Sequence, residues 1–427
     1  MLGVASAAVA QDRWSLDKCI GHAIENNISV RQSQLSIKQN ELNLDQSKMD
    51  FLPSVDANVG QGWGFGRGLS ADNTYIDRNT TSTSFNVSAS LTIFQGLQRY
   101  NSVKRNQLNL EAAVADLQRV KENISISVMQ NYLQVLYADE LRAVSTRQVQ
   151  LSRDLLHQRE MYEQVGRATL SDVAETRAAL ARDELSLVEA NNNYDIALLN
   201  LSQLLELDTP QGFAVEQPDT TTQLIALPSI EEVYADALQN KAIIKADEAR
   251  IAAAEKNVSI ARGAHSPTLS MGAGIGSNYY TASGYPHDSF SDQMDHNLSK
   301  SINLSLHIPI FSRFQTRNNI RSSRFQVEQQ NLQLDSDKKE LYKEVQQAYY
   351  NAVAAESKYG SSIKSEESAL ASFQLISKKF DNGKANQTEY NQSRDNWLRA
   401  ESDRIQAKYE YIFRAKILDF YRGVSAD

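Results

Sequence analysis

Over most of this chain apolar residues recur every three or four positions, but in four short stretches they recur every second position. In residues 84–93, Phe85, Val87, Ala89, Leu91 and Ile93 alternate with Ser84, Asn86, Ser88, Ser90 and Thr92. In residues 301–310, Ile302, Leu304, Leu306, Ile308 and Ile310 alternate with Ser301, Asn303, Ser305, His307 and Pro309. The other two stretches follow prolines: Val55, Ala57 and Val59 after Pro53, and Leu269, Met271, Ala273 and Ile275 after Pro267. A strict period of two predicts strands with one apolar and one polar face. About ten such residues fit a transmembrane β-strand, apolar toward lipid and polar toward a wet lumen. Gly60, Gly62, Gly64, Gly66 and Gly68 share one face of the first strand, and Gly272, Gly274 and Gly276 one face of the third. Glycine there permits curvature and leaves lumen space. Trp63, Phe65, Phe94, Tyr279, Tyr280 and Phe311 gather near strand ends, as interfacial girdles would. The competing reading is a soluble antiparallel sheet with one wet face.

The rest of the pattern is helical. Leu110, Val114, Leu117, Ile124 and Val128 follow 3-4-7 spacing, and Leu180, Leu187, Tyr194 and Leu201 recur as heptads, which predicts coiled-coil packing. Residues 97–165, 167–209, 310–359 and 384–422 contain neither glycine nor proline. The first of these runs, if wholly helical, is a rod of roughly 100 Å. Each long run reverses at a glycine, Gly166 or Gly383, the usual residue just past a helix end. Ser171 or Thr169, and Thr388 or Asn386, are candidate caps for the helices that return.

The chain also repeats itself. Residues 15–53 align with 229–267 without a gap, so that Asn26 and Pro53 match Asn240 and Pro267, each 214 residues later. Beyond the first hairpin the offset becomes 217, and Val128, Tyr132 and Gly166 match Val345, Tyr349 and Gly383. Two copies are too few for a solenoid and predict a duplicated, pseudo-twofold unit. Four strands cannot close a barrel, yet lipid requires every backbone group to be paired, so a membrane barrel must be shared among chains. Two chains would give eight strands with a filled interior, and three would give twelve around a wet lumen.

Composition narrows the function classes. The 427 residues carry a net charge of −8, which argues against nucleic acid as the main partner. No apolar stretch is long enough for a transmembrane helix. Ala8-Val9-Ala10 resembles a signal-peptidase site at the end of a leader remnant. Cys19, the single cysteine, is expected as an inert thiol on a short helix. His287, Asp288, Asp292, Asp295 and His296 sit in a polar outer loop, where such residues usually bind nothing specific; no metal or cofactor is expected. No His/Asp/Ser or His/Cys cluster has credible catalytic spacing, so no enzyme is expected. Two rivals to a channel remain: an adhesive coiled-coil protein, and a soluble enzyme with a helical body.

From Trp14 to Tyr421 the chain resembles the TolC-like family of outer-membrane efflux channels. The resemblance rests on the duplication, on Leu52-Pro53-Ser54 and His265-Ser266-Pro267 at the strand entries, on Ile93-Phe94-Gln95-Gly96 and Pro309-Ile310-Phe311 at the exits, and on Val165-Gly166 with Asp172-Val173 at the tip. It implies a mainly helical fold with a membrane β part. Three chains share a twelve-stranded barrel, four strands from each, and long antiparallel hairpins form a periplasmic α-barrel. The expected layout is a leader remnant (1–10), helices (11–52), a β-hairpin (53–94), a helical hairpin (95–205) and a mid-height belt (206–228). Next come helices (229–266), a second β-hairpin (267–311), a second helical hairpin (312–420) and a tail (421–427). The resemblance further implies a homotrimer in outer-membrane lipid, a periplasmic adaptor and an inner-membrane pump of RND or ABC type.

It also implies a gate at the tips. By position the gate residues are Asp172, Arg177, Phe380, Lys384, Glu389 and Gln392. Phe380 stands where the family has a tyrosine, Ala385 where it has an arginine, and Gln392 where it has an acid, so the latch is only partly retained. For Glu389 two readings stay open: a carboxylate ring around a threefold axis, or a helix N-terminal acid. Val165, Gly166, Arg167, Ala168, Thr169 and Leu170, with Asn382, Gly383, Lys384 and Ala385, are the implied adaptor-docking tips.

Overall fold

The computed structural model describes residues 12–69, 72–209, 212–217 and 227–423. The leader at 1–10 therefore lies outside the described residues, as do 218–226 of the expected belt and 424–427 of the tail. The first half runs β1 (Asp12–Trp14), α1 (Leu16–Asn26), α2 (Ile28–Met49), β2 (Ser54–Gly64), β3 (Arg67–Leu69), β4 (Tyr75–Asp77), β5 (Thr80–Gln95), α3 (Gln98–Gln164), α4 (Leu170–Leu204) and β6 (Phe213–Val215). The second runs α5 (Ile230–Asn240), α6 (Ala242–Gly263), β7 (Thr268–Ala282), α7 (Phe290–His296), β8 (Ser299–His307), α8 (Gln315–Asp381) and α9 (Gln387–Arg422). The repeat is visible in the element ends. α1 and α2 map onto α5 and α6 at the offset of 214, and α3 maps onto α8 at 217, each of the latter two being 67 residues long.

Two compact units form, one from 1–35, 115–245 and 335–427, the other from 36–114 and 246–334. The first unit is helical. Its core gathers Cys19 and Ala23 of α1, Val128, Tyr132 and Leu136 of α3, Leu201 of α4, and Leu398, Ile405 and Tyr409 of α9. Cys19 is fully buried, and burial pushes its thiol up to about 12, so it stays an uncharged packing group. β1 and β6 pair in parallel, an addition to a region expected as helix and linker. The Tyr132 hydroxyl reaches the carbonyls of Trp14 (3.2 Å) and Glu216 (2.6 Å), which ties this strand pair to α3.

The second unit holds the antiparallel sheet β2-β5-β7-β8. The register corrects several strand readings. The alternation at 301–310 stops at His307, so Ile308, Pro309 and Ile310 are not strand. A bulge between Thr92 and Phe94 leaves Ile93 unpaired and puts Phe94 opposite Leu269. A bulge inserts one residue and flips the face of the residues beyond it. Gly66 has φ +140 and lies beyond β2, while Gly68 belongs to β3, so neither extends the glycine row. The outer connections are also more ordered than plain loops. β3 pairs with β4, and α7 covers the edge of β7 past the end of β8. There the Gln293 amide accepts from Tyr280 N (3.0 Å) and donates to Tyr280 O (3.1 Å), and Asn297 Nδ2 donates to Asn278 O (2.7 Å). Two side chains thus occupy backbone groups that a neighbouring strand would otherwise pair.

Candidate functional site

The sheet has two chemically separate faces. Cross-strand partners place Val55, Ala89, Ala273 and Ile302 in one row and Ala57, Val87, Ile275 and Lys300 in the next, with Leu91, Met271 and Leu304 below. On the opposite face, Ser54, Ser90, Gly272 and Asn303 form a row, followed by Asp56, Ser88, Gly274 and Ser301, then Asn58, Asn86, Gly276 and Ser299. Glycine in these rows leaves room for neighbouring polar side chains: a Cβ at Gly272 would sit 2.6 Å from Asn303 Oδ1, and one at Gly60 2.9 Å from Ser84 Oγ. Ile302, Leu304, Leu306, Val55 and Val59 are all strongly exposed in the single chain. β2 and β8 each pair on one side only, which leaves two open edges. Of the expected girdle, Trp63 and Tyr279 lie on the apolar face, and the bulge brings Phe94 there. Tyr280 falls on the polar face, where its hydroxyl accepts from Arg78 Nη2 (3.0 Å).

The helical tips turn as the glycines require. Gly166 has φ +73 and Gly383 φ +68, a region costly for other residues. Of the candidate caps, Thr169 and Asn386 serve, each closing a capping box with the acid three residues on. Asp172 Oδ2 accepts from Thr169 N (2.8 Å) and Thr169 Oγ1 (2.8 Å). These bonds, the backbone one first, hold the Asp172 carboxyl below its usual range. A depressed folded-state value means that its contribution is present above the ordinary carboxylate range and is lost as pH falls through the lowered value. Glu389 Oε2 accepts from Asn386 N (2.9 Å), so in the single chain Glu389 is occupied as a helix N-terminal acid. Thr169→Ala is expected to remove the α4 cap at a cost of about 1 kcal/mol, read as faster amide exchange over the first turn of α4 with the body of the helix unchanged.

The remaining gate positions separate. Arg177 pairs with Glu160 of its own hairpin at 2.9 Å, and Gln392 bonds Asn396. The Lys384 amide closes the second turn on Lys379 O. Phe380 is buried, stacked on Tyr390 (4.6 Å) and covered by the Arg159 guanidinium (4.1 Å). Tyr390 in turn meets Phe373, which stacks on Trp397. Sequence reasoning missed this ladder because Arg159 lies on α3 and the rings on α8 and α9. Val165 and Leu170 are strongly exposed at the tip of the first hairpin, and no large apolar side chain of the second tip is. Farther along the helices, Ser152, Asp183 and Arg394 form a buried polar cluster, also missed. Its signal was an acid in the apolar seam: Val173, Thr176, Ala179 and Asp183 are the buried positions of α4 there, beside the flanking leucines read as heptads. Among the described residues no group of three or more His, Cys, Asp or Glu could hold a metal; Ser289 caps α7 by accepting from Asp292 N, and its hydroxyl donates to the Asp292 carboxylate. No described helix is long and apolar enough to cross a membrane.

The model of the outer membrane efflux protein family matches residues 19–206 and 233–421, most of the chain and both copies of the repeat. The chain belongs to this outer-membrane family. Curated relatives include protein CyaE of Bordetella pertussis, 24% identical over 323 residues (76% of this chain, 65% of the relative). Another is the pyoverdine export outer membrane protein OpmQ of Pseudomonas putida, 32% identical over 216 residues (49% and 44%). The chain thus spans less than two thirds of either relative. Among solved structures it resembles CusC (TM-score 0.79, 16% identity, 100% of this chain and 96% of that). It also resembles the open-state MtrE channel of Neisseria gonorrhoeae (TM-score 0.75, 18% identity, 99% and 93%). The likeness fixes the fold as that of TolC-like channels, with a β-barrel part and a helical-barrel part.

Proposed function

We propose that this outer-membrane family member is a passive exit duct, assembled from three copies and driven by an inner-membrane transporter through a periplasmic adaptor. The observation that carries the reading is the sheet: one face apolar, the other hydroxyl and amide, and both edges unpaired. A sheet of this kind is stable in lipid only when its edges meet those of other copies. The helices nearest those edges support the same assembly. Leu42 and Met49 on α2, which leads into β2, are exposed at heptad spacing, and so are Phe325 and Leu332 on α8, which follows β8. Such stripes suit the seam between neighbouring copies.

The gate of this duct lies at the tips, where Asp172, Arg177, Phe380, Lys384, Glu389 and Gln392 sit. Its resting contact in this chain is aromatic: Arg159 of the first hairpin over Phe380 of the second takes the place of the family's tyrosine hydroxyl. The docking surface for the adaptor is the pair of turns, Val165, Gly166, Arg167, Ala168, Thr169 and Leu170 with Asn382, Gly383, Lys384 and Ala385, and its apolar contacts are Val165 and Leu170. No catalytic step belongs to this function.

The test is oligomer mass in detergent together with planar-bilayer conductance. The wild type is expected as a trimer that forms stable pores, and Leu42→Asp, alone or with Phe325→Asp, as monomers without pores. A wild type that is monomeric and silent in bilayers, or an Asp double variant that still forms conducting trimers, would count against the shared barrel and its seam respectively.

A further inference from the structure

The wet face of the sheet is almost free of charge. Along β2 it carries Ser54, Asp56, Asn58 and three glycines; along β5, Thr80, Ser82, Ser84, Asn86, Ser88, Ser90 and Thr92. Along β7 it carries Thr268, Ser270, three glycines and Asn278 before Tyr280 and Ala282; along β8, Ser299, Ser301, Asn303, Ser305 and His307. Asp56 is the only carboxylate on this face of the four strands, and the face holds no lysine or arginine. Lys300 points the other way, in the row of Ile275. Asp56 is exposed, its cross-strand partner is Ser88, and Ser54 and Asn58 flank it on its own strand. The next residue in its row is Gly274, which has no side chain to cover it. Two arginines sit at the ends of the wall. Arg99 Nη1 donates to Thr92 O (2.8 Å), and Arg78 donates to Tyr280 Oη (3.0 Å).

We propose that Asp56 sets the charge preference of the barrel: one carboxylate per chain, repeated around a lumen otherwise lined by hydroxyls, amides and bare backbone, favours cationic and neutral solutes over anionic ones. The proposal rests on the shared-barrel reading above. Its physical basis is that an uncharged wall neither attracts nor repels ions, so a single ring of like charge dominates the potential. Position strengthens the effect. Asp56 lies two residues into β2 from the end that joins α2, so every solute moving between helices and barrel passes it. The ring is screened by salt, with a range of about 10 Å at 0.1 M and about 30 Å at 0.01 M. The wall therefore discriminates weakly in concentrated salt and more strongly in dilute salt.

The experiment is reversal potential across a KCl gradient in planar bilayers, for the wild type, Asp56→Asn, Asp56→Lys and the control His307→Gln. Asp56→Asn is expected to lower the K+/Cl− permeability ratio about threefold at 0.1 M and on the order of tenfold at 0.01 M. Asp56→Lys is expected to invert the preference, and His307→Gln to leave it unchanged. Asp56→Cys gives a second reading that does not depend on how a variant folds. Once its pores conduct, a positively charged thiol reagent is expected to shift the reversal potential toward anions and a negatively charged one to restore cation preference. Cys19 is fully buried and does not compete for the reagent. Wild-type pores whose preference survives both Asp56→Asn and modification of Asp56→Cys would overturn the assignment and leave the channel reading standing. A wild type that forms no pores would overturn the channel reading itself.

Discussion

Ile302→Arg is expected to prevent assembly of the membrane barrel, whereas Ser301→Arg, one residue away, yields trimers that still conduct. The two side chains leave β8 on opposite faces. Ile302 lies opposite Ala273 in the apolar row that ends at Val55, and is 82% exposed in the single chain. Ser301 lies opposite Gly274, whose missing side chain leaves room for a larger neighbour. An arginine near the midplane of a barrel's lipid face costs about 2–4 kcal/mol, and a trimer meets that cost three times. An arginine on the wet face keeps its water and changes only the lumen potential. The native Lys300 also falls on this apolar face, opposite Ile275, but it is the second residue of β8, and a long stem can carry its ammonium away from the apolar layer. The measurement is the fraction of protein recovered as heat-modifiable trimer in vesicles, with conductance alongside. Equal recovery of the two variants would mean that the faces are assigned wrongly.

Arg394→Ala is expected to destabilise the helical unit by about 3–5 kcal/mol, because it leaves a buried carboxylate without its cation. Arg394 on α9 donates to Ser152 Oγ of α3 (2.8 Å) and lies 3.5 Å from Asp183 Oδ2 of α4. Ser152 donates to the same Asp183 oxygen, and Gln148 Nε2 donates to the other (2.6 Å). All three central side chains are buried: Ser152 is 1% exposed, Arg394 4% and Asp183 5%. The cluster joins the two helices of the first hairpin to the returning helix of the second, so its loss loosens three elements at once. The double variant Arg394→Leu with Asp183→Leu removes both charges and is expected to recover much of the stability. Arg153→Ala breaks an exposed pair with Glu184 (2.9 Å) and is expected to cost under about 1 kcal/mol. Urea unfolding of the trimer in detergent reads all three. An Arg394→Ala midpoint as small in its shift as that of Arg153→Ala would show that Asp183 stays satisfied by Ser152 and Gln148 alone.

The sequence by itself determined the principal elements and their repetition, though not the β1–β6 pair or the outer pieces β3, β4 and α7. Period two located all four barrel strands, because a strand between lipid and water must alternate. Long runs without glycine or proline located α3, α4 and α9, because nothing in them interrupts a helix, whereas α8 runs on through Gly360 to Asp381, past the end of its run. Gly166 and Gly383 marked the turns, because the left-handed backbone they adopt disfavours side chains. The offsets of 214 and 217 carried each of these features into the second copy. The sequence also left Glu389 open between a helix cap and a charge ring, since both need an acid at that position.

The tertiary structure decided what depends on pairs distant in the chain. Only register shows that Ile93 bulges out of β5 and that Phe94 joins the apolar face, since one inserted residue flips the alternation. Only the fold brings Arg159 over Phe380 and Arg394 to Asp183, because each pair joins different helical hairpins and no local spacing encodes it. The seam of α4 is likewise decided in three dimensions. Toward the tip Leu180 and Leu187 are only half-buried while Val173, Thr176, Ala179 and Asp183 fill it; farther along, the heptad position Leu201 is itself fully buried in the core.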